Sequence, residues 1–546
     1  MKMTGAQAII ESLIQEGIEI VFGYPGGTIL PTYDALFEKK DKIHHVLVRH
    51  EQGGVIAAEG YAKSSGKVGV CFATSGPGAT NLVTGIADAM LDSIPLVCIT
   101  GQVASSLIGT DAFQEADIVG ITIPVTKWNY QVTRAEDIPS VISKAFHYAT
   151  EGRPGPVLVD ITKDAQMGML DYHYKKHKPR INHSYDCPDI QFIQIADIVN
   201  EAKRPLIFAG NGIGMSNAED ELLKLAEKAT IPVACTLHGL HNFPSDHELF
   251  VGLLGMHGNY APNIMTNQAD VIIAIGMRFD DRVTGNLAKY AKQAKIIHID
   301  IDHAEINKNV KSYIPLHTDA KYALTQLLRY IQPNRHEQWR EKFKALHNEE
   351  YQKVILPELT MQKDIIRMSQ VINMVSEKTE GKAIVVPDVG QNQMISSRYF
   401  KFKHKRSIVT SGGFGTMGFG LPAAIGASFG APDRTICCFC GDGGLQMSIQ
   451  EFGTIMEQQA PVKIILLNNN FLGNVRQWQD LMFNGRYAFT HMMNPHYQEI
   501  SKAYNIPYDL VVDRKDLRSK VEKMLSTKGP YFLECAIKED EDIVPM

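Results

Sequence analysis

The sequence predicts an α/β protein made of three doubly wound parallel-sheet domains. Short apolar runs alternate with helix-length segments, which is typical of parallel sheets covered by helices on both faces. The alternation starts three times, and polar segments separate the three stretches. The length of 546 residues agrees with this division, since a domain has roughly 150 residues.

The first stretch, residues 1–170, predicts an N-terminal domain. It opens with an amphipathic helical segment in which Glu11, Gln15 and Glu16 argue against a signal peptide. Five buried strands are predicted after it, at IEIVFG (18–23), HVLV (45–48), VGVCFAT (68–74), PLVCITG (95–101) and GPVLVDI (155–161). Residues 171–189 are polar without apolar periodicity, and we expect a linker there.

The second and third stretches repeat this organisation. A central domain is expected at residues 190–335, a helical linker with a charged segment (334–353) at 336–370, and a C-terminal domain at 371–546. The strands of the central domain are predicted at PLIFAG (205–210), IPVACT (231–236), DVIIAIG (270–276) and AKIIHID (294–300). Those of the C-terminal domain are predicted at AIVVPDVG (383–390), TICCFCGDG (435–443), VKIILLNNN (462–470) and YFLECAI (531–537).

The amino-acid composition argues against several classes of protein. The 55 Lys and Arg against 60 Asp and Glu give a net charge of −5 without charged blocks, so no nucleic-acid or membrane partner is expected. No apolar run approaches the ~18 residues that a membrane helix needs. The 8 cysteines are too sparse for a disulfide scaffold. These features favour a cytoplasmic enzyme.

The most informative pattern is Gly441-Asp442-Gly443, followed after 24 residues by Asn468-Asn469. Each part follows a predicted strand, so both should lie at the carboxyl edge of the sheet, where α/β folds bind ligands. Mg²⁺ prefers oxygen ligands shared with a diphosphate, and the glycines let backbone N–H groups approach the phosphates. A glycine turn is the simpler interpretation of Gly-Asp-Gly alone, but the spaced asparagine pair favours a Mg²⁺–diphosphate site.

The same pattern marks thiamine-diphosphate enzymes, and longer motifs extend the resemblance over nearly the whole chain. They are YPGG (24–27), RHEQGG (49–54), AAEGYA (57–62), TSGPGATN (74–81), GTDAFQE (109–115), RPGPVLVD (153–160), RFDDRVTG (278–285), MGFGLPAA (417–424) and LGNVRQW (472–478). The chain thereby resembles the catalytic large subunit of acetohydroxyacid synthase (acetolactate synthase). The resemblance implies decarboxylation of pyruvate on thiamine diphosphate. The hydroxyethyl unit is then ligated to a second pyruvate or 2-ketobutyrate, the first common step of branched-chain amino-acid biosynthesis.

The resemblance also implies a set of thiamine diphosphate residues. Glu51 would face N1′ of the aminopyrimidine, although a glutamate in a first helical turn is also favoured by the helix dipole. Met417 would wedge between the two rings of the cofactor, although core methionines are common. The remaining contacts would come from Val389, Gly390, Gln391, Asn392, Gly415, Gly441, Asp442, Gly443, Gly444, Asn469, Phe471, Leu472 and Gly473. Mg²⁺ would be held by Asp442, Asn469 and Phe471.

Substrate residues are implied in the same way. Gly27, Phe113, Gln114 and Lys163 match residues that line the family's substrate channel, although a lysine after a strand is usually just solvated. Arg282 and Trp478 would select the second keto acid, because a guanidinium binds a carboxylate in a bidentate manner and an indole packs on an alkyl group. A half-buried structural aromatic is an equally common interpretation of Trp478.

The central domain carries glycine turns and acids after strands, which suit the phosphates and ribose of a nucleotide. The resemblance implies FAD there, without a redox role in the net reaction. FAD-independent catabolic acetolactate synthases lack RFDDRVTG, so this motif favours a flavin-binding form. The FAD residues would be Arg153, Gly210, Asn211, Gly212, Gly255, Met256, His257, Gly276, Arg278, Asp280, Arg282, Asp300, Ile301 and Asp319.

Some of these patterns also fit other sites or other functions. Residues 413–418 fit G-x-G-x-x-G after a strand-like SIVTS, but the pattern is short and lacks a ribose-binding acid about 20 residues on. Cys437, Cys438 and Cys440 alternate along a strand and are expected to be buried core residues. A pyruvate-oxidase-type oxidoreductase would share the fold and both organic cofactors, but GTDAFQE and RQW argue against it. A non-catalytic homologue is disfavoured by the intact Glu51, Asp442 and Asn469.

The resemblance also implies partner subunits, and the sequence differs from the family pattern at several positions. Glu51 of one subunit would face the diphosphate domain of another, so a homodimer or homotetramer is implied, with a possible small regulatory subunit. Asn392 stands where family members often have histidine, and its amide can still donate a hydrogen bond. Ala104 and Ser106 replace a proline and an arginine of plant-like members, which puts herbicide sensitivity in doubt. The chain ends at Met546, before residues that help cover the site in relatives.

Overall fold

Three α/β units follow one another in the computed structural model, which describes residues 1–177, 187–360, 366–539 and 542–543. Each unit has its own parallel sheet, with six, six and five strands in chain order. The predicted fold class is confirmed. Among the described residues, no helix is both long and apolar enough to cross a membrane.

The first unit has the strand order β3-β2-β4-β5-β7-β6. Its strands are β1 (Lys2–Thr4), β2 (Ile20–Gly23), β3 (His44–Leu47), β4 (Gly69–Ala73), β5 (Leu96–Gln102), β6 (Trp128–Val132), β7 (Pro156–Thr162) and β8 (Met169–Asp171), of which β1 and β8 form a separate antiparallel pair. Its helices are α1 (Gly5–Glu16), α2 (Leu30–Phe37), α3 (Glu51–Ser65), α4 (Pro77–Thr80), α5 (Val83–Asp92), α6 (Ile118–Thr122), α7 (Ile138–Thr150) and α8 (Lys163–Met167). The central strands β4, β5 and β7 are buried throughout, which explains their continuous apolar sequences.

The second unit has the strand order β11-β10-β9-β12-β13-β14. Its strands are β9 (Pro205–Ala209), β10 (Val233–Cys235), β11 (Phe250–Leu253), β12 (Val271–Ile275), β13 (Lys295–Asp300) and β14 (Ile314–His317). Its helices are α9 (Asp189–Glu201), α10 (Asn211–Met215), α11 (Glu219–Ala229), α12 (Tyr260–Thr266), α13 (Asp281–Thr284), α14 (Ala320–Tyr330), α15 (Glu337–Glu350) and α16 (Leu356–Thr360), with a π-helical turn at Tyr351–Ile355. Much of the predicted linker 171–189 lies outside the described residues.

The third unit has the strand order β15-β16-β17-β19-β18. Its strands are β15 (Ile384–Pro387), β16 (Ile436–Gly441), β17 (Val462–Asn468), β18 (Tyr508–Val511) and β19 (Tyr531–Ala536). Its helices are α17 (Met368–Lys378), α18 (Gln391–Tyr399), α19 (Gly420–Gly430), α20 (Asp442–Ser448), α21 (Phe452–Gln458), α22 (Gly473–Phe483), α23 (Tyr497–Ala503) and α24 (Arg514–Ser526). The expectation of a strand at SIVTS was wrong, because Ile408 forms only an isolated bridge to Val385.

The first and third units pack through α3 and α19. A Cβ added at Gly60 would lie 2.1 Å from the Ala423 carbonyl oxygen, and one at Gly426 would lie 1.8 Å from the Ala57 carbonyl oxygen. Only glycine allows the two helix backbones to approach this closely. The contact fixes the position of α3, whose first residue is Glu51.

Candidate active site

Glu51 begins α3, where the helix dipole favours a carboxylate. Its Oε2 accepts a hydrogen bond from Asn81 Nδ2 at 2.9 Å. A Cβ added at Gly78 would lie 3.2 Å from Glu51 Oε1, so the TSGPG turn runs directly against the carboxylate. The side chain is half-buried and therefore accessible to a ligand on one side.

The segment 74–81, which meets Glu51 at Gly78, also contacts the parts of the first unit that carry Gly27 and Gln114. Thr74 Oγ1 contacts Thr28 Oγ1 at 2.9 Å, next to Gly27, which has open space where a Cβ would lie. Gly76 packs against the Gln114 backbone, with a Cβ position 2.7 Å from its carbonyl oxygen. Gln166 of α8 donates to the Thr28 carbonyl oxygen at 2.9 Å, and this contact brings α8, which begins at Lys163, to the same edge.

The third unit supplies a cluster of oxygens at the ends of β16 and β17. Asp442 is buried, and burial raises the pKa of its carboxyl group. Asn494 Nδ2 lies 2.8 Å from Asp442 Oδ2, 2.8 Å from Asn468 Oδ1 and 3.1 Å from Asn470 Oδ1. Asn469 Oδ1 accepts from the Phe471 N–H at 3.3 Å. Three of these oxygens meet at the Asn494 amide nitrogen, which orients Asp442 and Asn468, and Asp442 and Asn469 carry oxygens of the kind that Mg²⁺ prefers.

Two segments beside this cluster are held together by Asp388. Its buried carboxylate accepts the N–H groups of Val389 at 2.6 Å, Gly418 at 3.0 Å and Gly420 at 3.3 Å. Burial raises the pKa of Asp388 to about 6. The loops that carry Gly390 and Gly415 are thereby fixed, and Gly415 (φ 72°) has open space where a Cβ would lie. These bare glycine backbones fit a diphosphate.

Met417 lies close to Gly443, which follows Asp442 in the chain. A Cβ added at Gly443 would be 3.5 Å from Met417 Cε, 2.6 Å from Leu472 Cδ2 and 3.4 Å from Met492 Sδ. Asn392 differs from expectation, because its amide nitrogen donates inward to the Phe439 carbonyl oxygen at 3.0 Å and its side chain is buried. Asn392 therefore supports strand β16 with that hydrogen bond.

A cavity of about 980 Å³ lies between the three units. Of the predicted FAD residues, those that line it are Arg153, Asn211, Gly212, Met256, His257, Gly276, Arg278, Asp280, Arg282, Asp300, Ile301 and Asp319. The third unit contributes Val389, Gly415 and Trp478. The cavity therefore reaches from the second unit to both the diphosphate loops and the indole predicted to select the substrate.

Two predicted FAD glycines do not line this cavity. A Cβ at Gly210 would lie 2.1 Å from the Gly276 carbonyl oxygen, and one at Gly255 would lie 2.3 Å from the Arg282 carbonyl oxygen. Both glycines therefore serve close contacts between loops behind the cavity wall. The glycine patterns indicated the correct turns without showing which glycine faces the ligand.

Polar groups of the cavity wall are arranged for a nucleotide. Arg153 of the first unit is 3.1 Å from Asp302 Oδ2 and 2.9 Å from Glu305 Oε1 of the second. Burial raises the pKa of Asp300 to about 6 and lowers that of His257 to about 4. The buried His257 Nδ1 has no hydrogen-bond partner within the described chain, and the volume is at the upper end for small-molecule sites. The cavity fits an adenine dinucleotide such as FAD.

The sequence analysis missed Asn494, Asp388 and His238. Asn494 follows no strand and belongs to no motif, although it contacts three of the oxygens. His238 lines the cavity and lies 3.0 Å from Asp92 of the first unit. Only Asp388, at the end of β15, carried a usable signal, since acids after parallel strands are frequent ligands or loop organisers.

Comparison with known proteins agrees with this arrangement. Three family models match in order: thiamine pyrophosphate enzyme N-terminal TPP binding domain at residues 3–121, central domain at 193–327 and C-terminal TPP binding domain at 388–535. The chloroplastic acetolactate synthase of Arabidopsis thaliana is 44% identical over 99% of this chain and 82% of that protein.

Bacterial relatives extend over the whole chain. The acetolactate synthase large subunit of Lactococcus lactis is 44% identical over 100% of this chain and 94% of its own length. The acetolactate synthase isozyme 2 large subunit of Escherichia coli is 41% identical over 100% of this chain and 97% of its own length. The chain therefore belongs to the thiamine pyrophosphate enzymes and, within them, to the acetolactate synthase large subunits.

Proposed function

We propose that this chain catalyses the acetolactate synthase reaction with the residues described above. In that reaction pyruvate is decarboxylated and its two-carbon unit is ligated to a second pyruvate or to 2-ketobutyrate, in branched-chain amino-acid biosynthesis. The observation that carries the proposal is that Glu51 begins α3 and Asp442 directly follows β16, in a chain related to acetolactate synthases over its full length.

In this proposal residues 371–546 bind the diphosphate and Mg²⁺, and residues 1–170 bind the pyrimidine. Asp442, Asn469 and the Phe471 carbonyl hold Mg²⁺, while the Gly390, Gly415 and Gly443 loops contact the phosphates. When bound, thiamine diphosphate supplies an electron sink for the decarboxylation. Glu51 holds the proton at N1′ of the pyrimidine.

Substrate selection is assigned to the cavity between the second and third units. Arg282 and Trp478 line the same cavity, so a guanidinium and an indole are both available to one keto acid. Gly27, Phe113, Gln114 and Lys163 would close the opposite side of the reaction site. FAD would occupy residues 190–335, with Arg153 holding the first unit against them through Asp302 and Glu305.

A second copy of the chain would complete the site. Phe113 is 87% exposed beside the Glu51 half of the site, and Phe489 is 99% exposed beside the Asp442 half. Aromatic side chains are enriched at the cores of protein–protein interfaces, so these two positions would supply anchors for a second copy. We propose a homodimer or a dimer of dimers. The name "large subunit" of several relatives further supports a small regulatory subunit as partner.

The reaction is tested by identifying its carbon product. Purified protein is incubated with thiamine diphosphate, Mg²⁺, FAD and pyruvate, and the product is analysed by mass spectrometry while oxygen is monitored. Five-carbon acetolactate without oxygen uptake is expected, and a mixture with 2-ketobutyrate should add the six-carbon product. Acetate or acetyl phosphate with oxygen consumption would overturn the proposal. Samples without thiamine diphosphate serve as controls.

A further inference from the structure

A buried ion cluster lies where all three units meet. It consists of Lys63 on α3 with Asp88 and Asp92 on α5, and we call it the junction cluster. Lys63 Nζ is 2.8 Å from Asp92 Oδ2 and donates to the Thr410 carbonyl oxygen of the third unit at 2.5 Å. The other oxygen of Asp92 lies 3.0 Å from His238 Nε2 of the second unit.

The ammonium of Lys63 is an internal cation in this cluster. Asp88, Asp92 and Glu59 are close enough together to hold a metal ion, but Lys63 Nζ already lies 2.8 Å from both Asp92 and Glu59. Burial alone would raise the pKa of Asp92, yet His238 and Lys63 hold it well below its usual value. Burial raises the pKa of Asp88 and of Glu59. Asp92 is therefore the charged partner of Lys63.

The two aspartates hold one turn of the third unit, Ser411–Met417. Asp92 accepts the backbone N–H groups of Gly412 at 3.1 Å and Gly413 at 2.7 Å. Asp88 Oδ2 accepts the hydroxyl of Ser411 at 2.6 Å and also that of Thr416. Four groups of the turn are thus fixed by carboxylates that belong to the first unit.

This turn forms a wall of both proposed cofactor sites. Gly412 and Gly413 line the large cavity, and a Cβ at Gly412 would lie 2.2 Å from His238 Nε2. The same turn carries Gly415, which also lines the cavity, and Met417, whose Cε would lie 3.5 Å from a Cβ added at Gly443 on the proposed diphosphate side. A change in the turn therefore alters the two sites together.

We propose that Lys63, Asp88 and Asp92 are positioning residues that hold the Ser411–Met417 turn in the shape that both cofactors need. The inference rests on the proposed function, because it takes FAD and thiamine diphosphate as the occupants of the two sites. Since one turn serves both, binding of FAD raises the affinity for thiamine diphosphate, and the reverse effect is equal in size.

The test compares Asp92→Asn with the unmodified protein. FAD affinity is measured by absorbance titration, and thiamine diphosphate affinity by calorimetry with Mg²⁺, with and without FAD. We expect saturating FAD to tighten thiamine diphosphate binding about fivefold or more in the unmodified protein. Asp92→Asn should weaken both affinities about tenfold and remove most of the coupling. Half-saturation by thiamine diphosphate should change more than kcat at saturation.

Asp160→Asn is the matched control, because Asp160 is an equally buried carboxylate of the first unit that bonds to Thr100, Gln102 and Gln131 and not to the turn, and both affinities should stay within about twofold of the unmodified values. If Asp92→Asn does not fold, Ser411→Ala carries the test, since it removes only the hydroxyl contact with Asp88. Lys63→Arg should retain the coupling that Lys63→Met loses. Unchanged affinities and coupling in folded Asp92→Asn or Ser411→Ala overturn the inference alone. An unmodified protein that binds neither cofactor overturns the proposed function instead.

Discussion

The large cavity and the proposed thiamine diphosphate site differ in how completely one chain encloses them. The second site has two parts, one around Glu51 and one around Asp442, which we call the half-sites. The cavity is walled by all three units, and ion pairs such as Arg153 with Asp302 already join its sides. The half-sites end in bare apolar side chains, with Phe113 87%, Phe489 99% and Met493 92% exposed. One chain therefore walls the cavity from all three units, whereas the exposed side chains of the other site are those that the proposed second copy would cover.

Strained backbone occurs at both sites. Gln114 (φ 60°) and Phe489 (φ 55°) adopt left-handed conformations although neither is glycine, and so does Ser93 (φ 63°), which lines the large cavity. Such conformations cost of order 1–3 kcal/mol and persist where the surroundings require them. Backbone strain therefore does not distinguish the two sites, and exposed apolar side chains do.

The largest effect is expected for Glu51→Gln, which should lower catalytic activity without changing FAD binding. Glu51→Gln should lower acetolactate formation by about 10²–10⁴-fold, because the proton at N1′ loses its carboxylate. FAD binding should be retained, since Glu51 does not line the cavity. Product formation and FAD absorbance are measured together. The control is Glu19→Gln, an exposed carboxylate of the same unit. Substantial activity in Glu51→Gln would contradict the assignment.

The next effect concerns the metal alone. Asn494→Ala removes the amide that orients Asp442 and Asn468, and loss of such an outer partner typically costs about 10–100-fold in metal affinity. Half-saturation by Mg²⁺ should rise by that factor in a thiamine diphosphate binding assay, with FAD affinity unchanged. Asn373→Ala, on α17, is the control. An unchanged Mg²⁺ requirement would show that Asn494 does not support the metal site.

A third change addresses association. Phe489→Asp should raise the dimer dissociation constant about tenfold or more, because a charge replaces an apolar anchor at the open edge. Sedimentation velocity at several concentrations measures it, and activity should recover at high protein concentration. Phe37→Asp, which removes an exposed phenylalanine of α2, is the comparison. Equal dissociation constants for Phe489→Asp and the unmodified protein would place the interface elsewhere.

The smallest effect is on pH-dependent stability. Asp300 is buried in the cavity, and its pKa is raised from 3.8 to about 6. A carboxyl group with a raised pKa stabilises the fold below about pH 4 and loses that contribution as pH rises through about 6, by up to about 3 kcal/mol.

Asp300→Asn should therefore increase the apparent Tm of the FAD-free protein more at pH 7 than at pH 4. Scanning calorimetry at the two pH values measures the difference. Asp433→Asn, at an exposed position, is the control and should show no such difference. A Tm change in Asp300→Asn that does not depend on pH would contradict the burial of a protonatable group.

Sequence patterns predicted the central strands of each sheet and two of the edge strands, β3 and β15, and missed the other edge strands. The parallel-sheet strands that were missed, β6, β11, β14 and β18, all lie at sheet edges. Edge strands are partly exposed and therefore lack the continuous apolar runs of β4 or β12. Central strands were found because their burial requires continuous apolar sequences. Their predicted ends differ from the observed ends by one or two residues.

The candidate site shows the same limit. Glu51 was predicted from the long motif RHEQGG and Asp442 from Gly-Asp-Gly with its spaced asparagine pair, and both assignments stay predictions. Asn494 and the junction cluster depend on contacts across 52 and more than 300 positions, so no local pattern could indicate them. Gly210 and Gly255 were assigned to the ligand because a glycine needed for loop packing has the same local sequence as one facing a phosphate.

Helix α3 restricts where residues can be inserted into this chain or deleted from it. Glu51 begins the helix and Lys63 lies 12 positions later, so each faces its own site across three turns of backbone. Deleting one residue between them would rotate one end by about 100° relative to the other. The glycine contacts with α19 leave no freedom to absorb that rotation. Insertions and deletions should therefore be excluded from α3, and a deletion scan along the gene would find this interval intolerant.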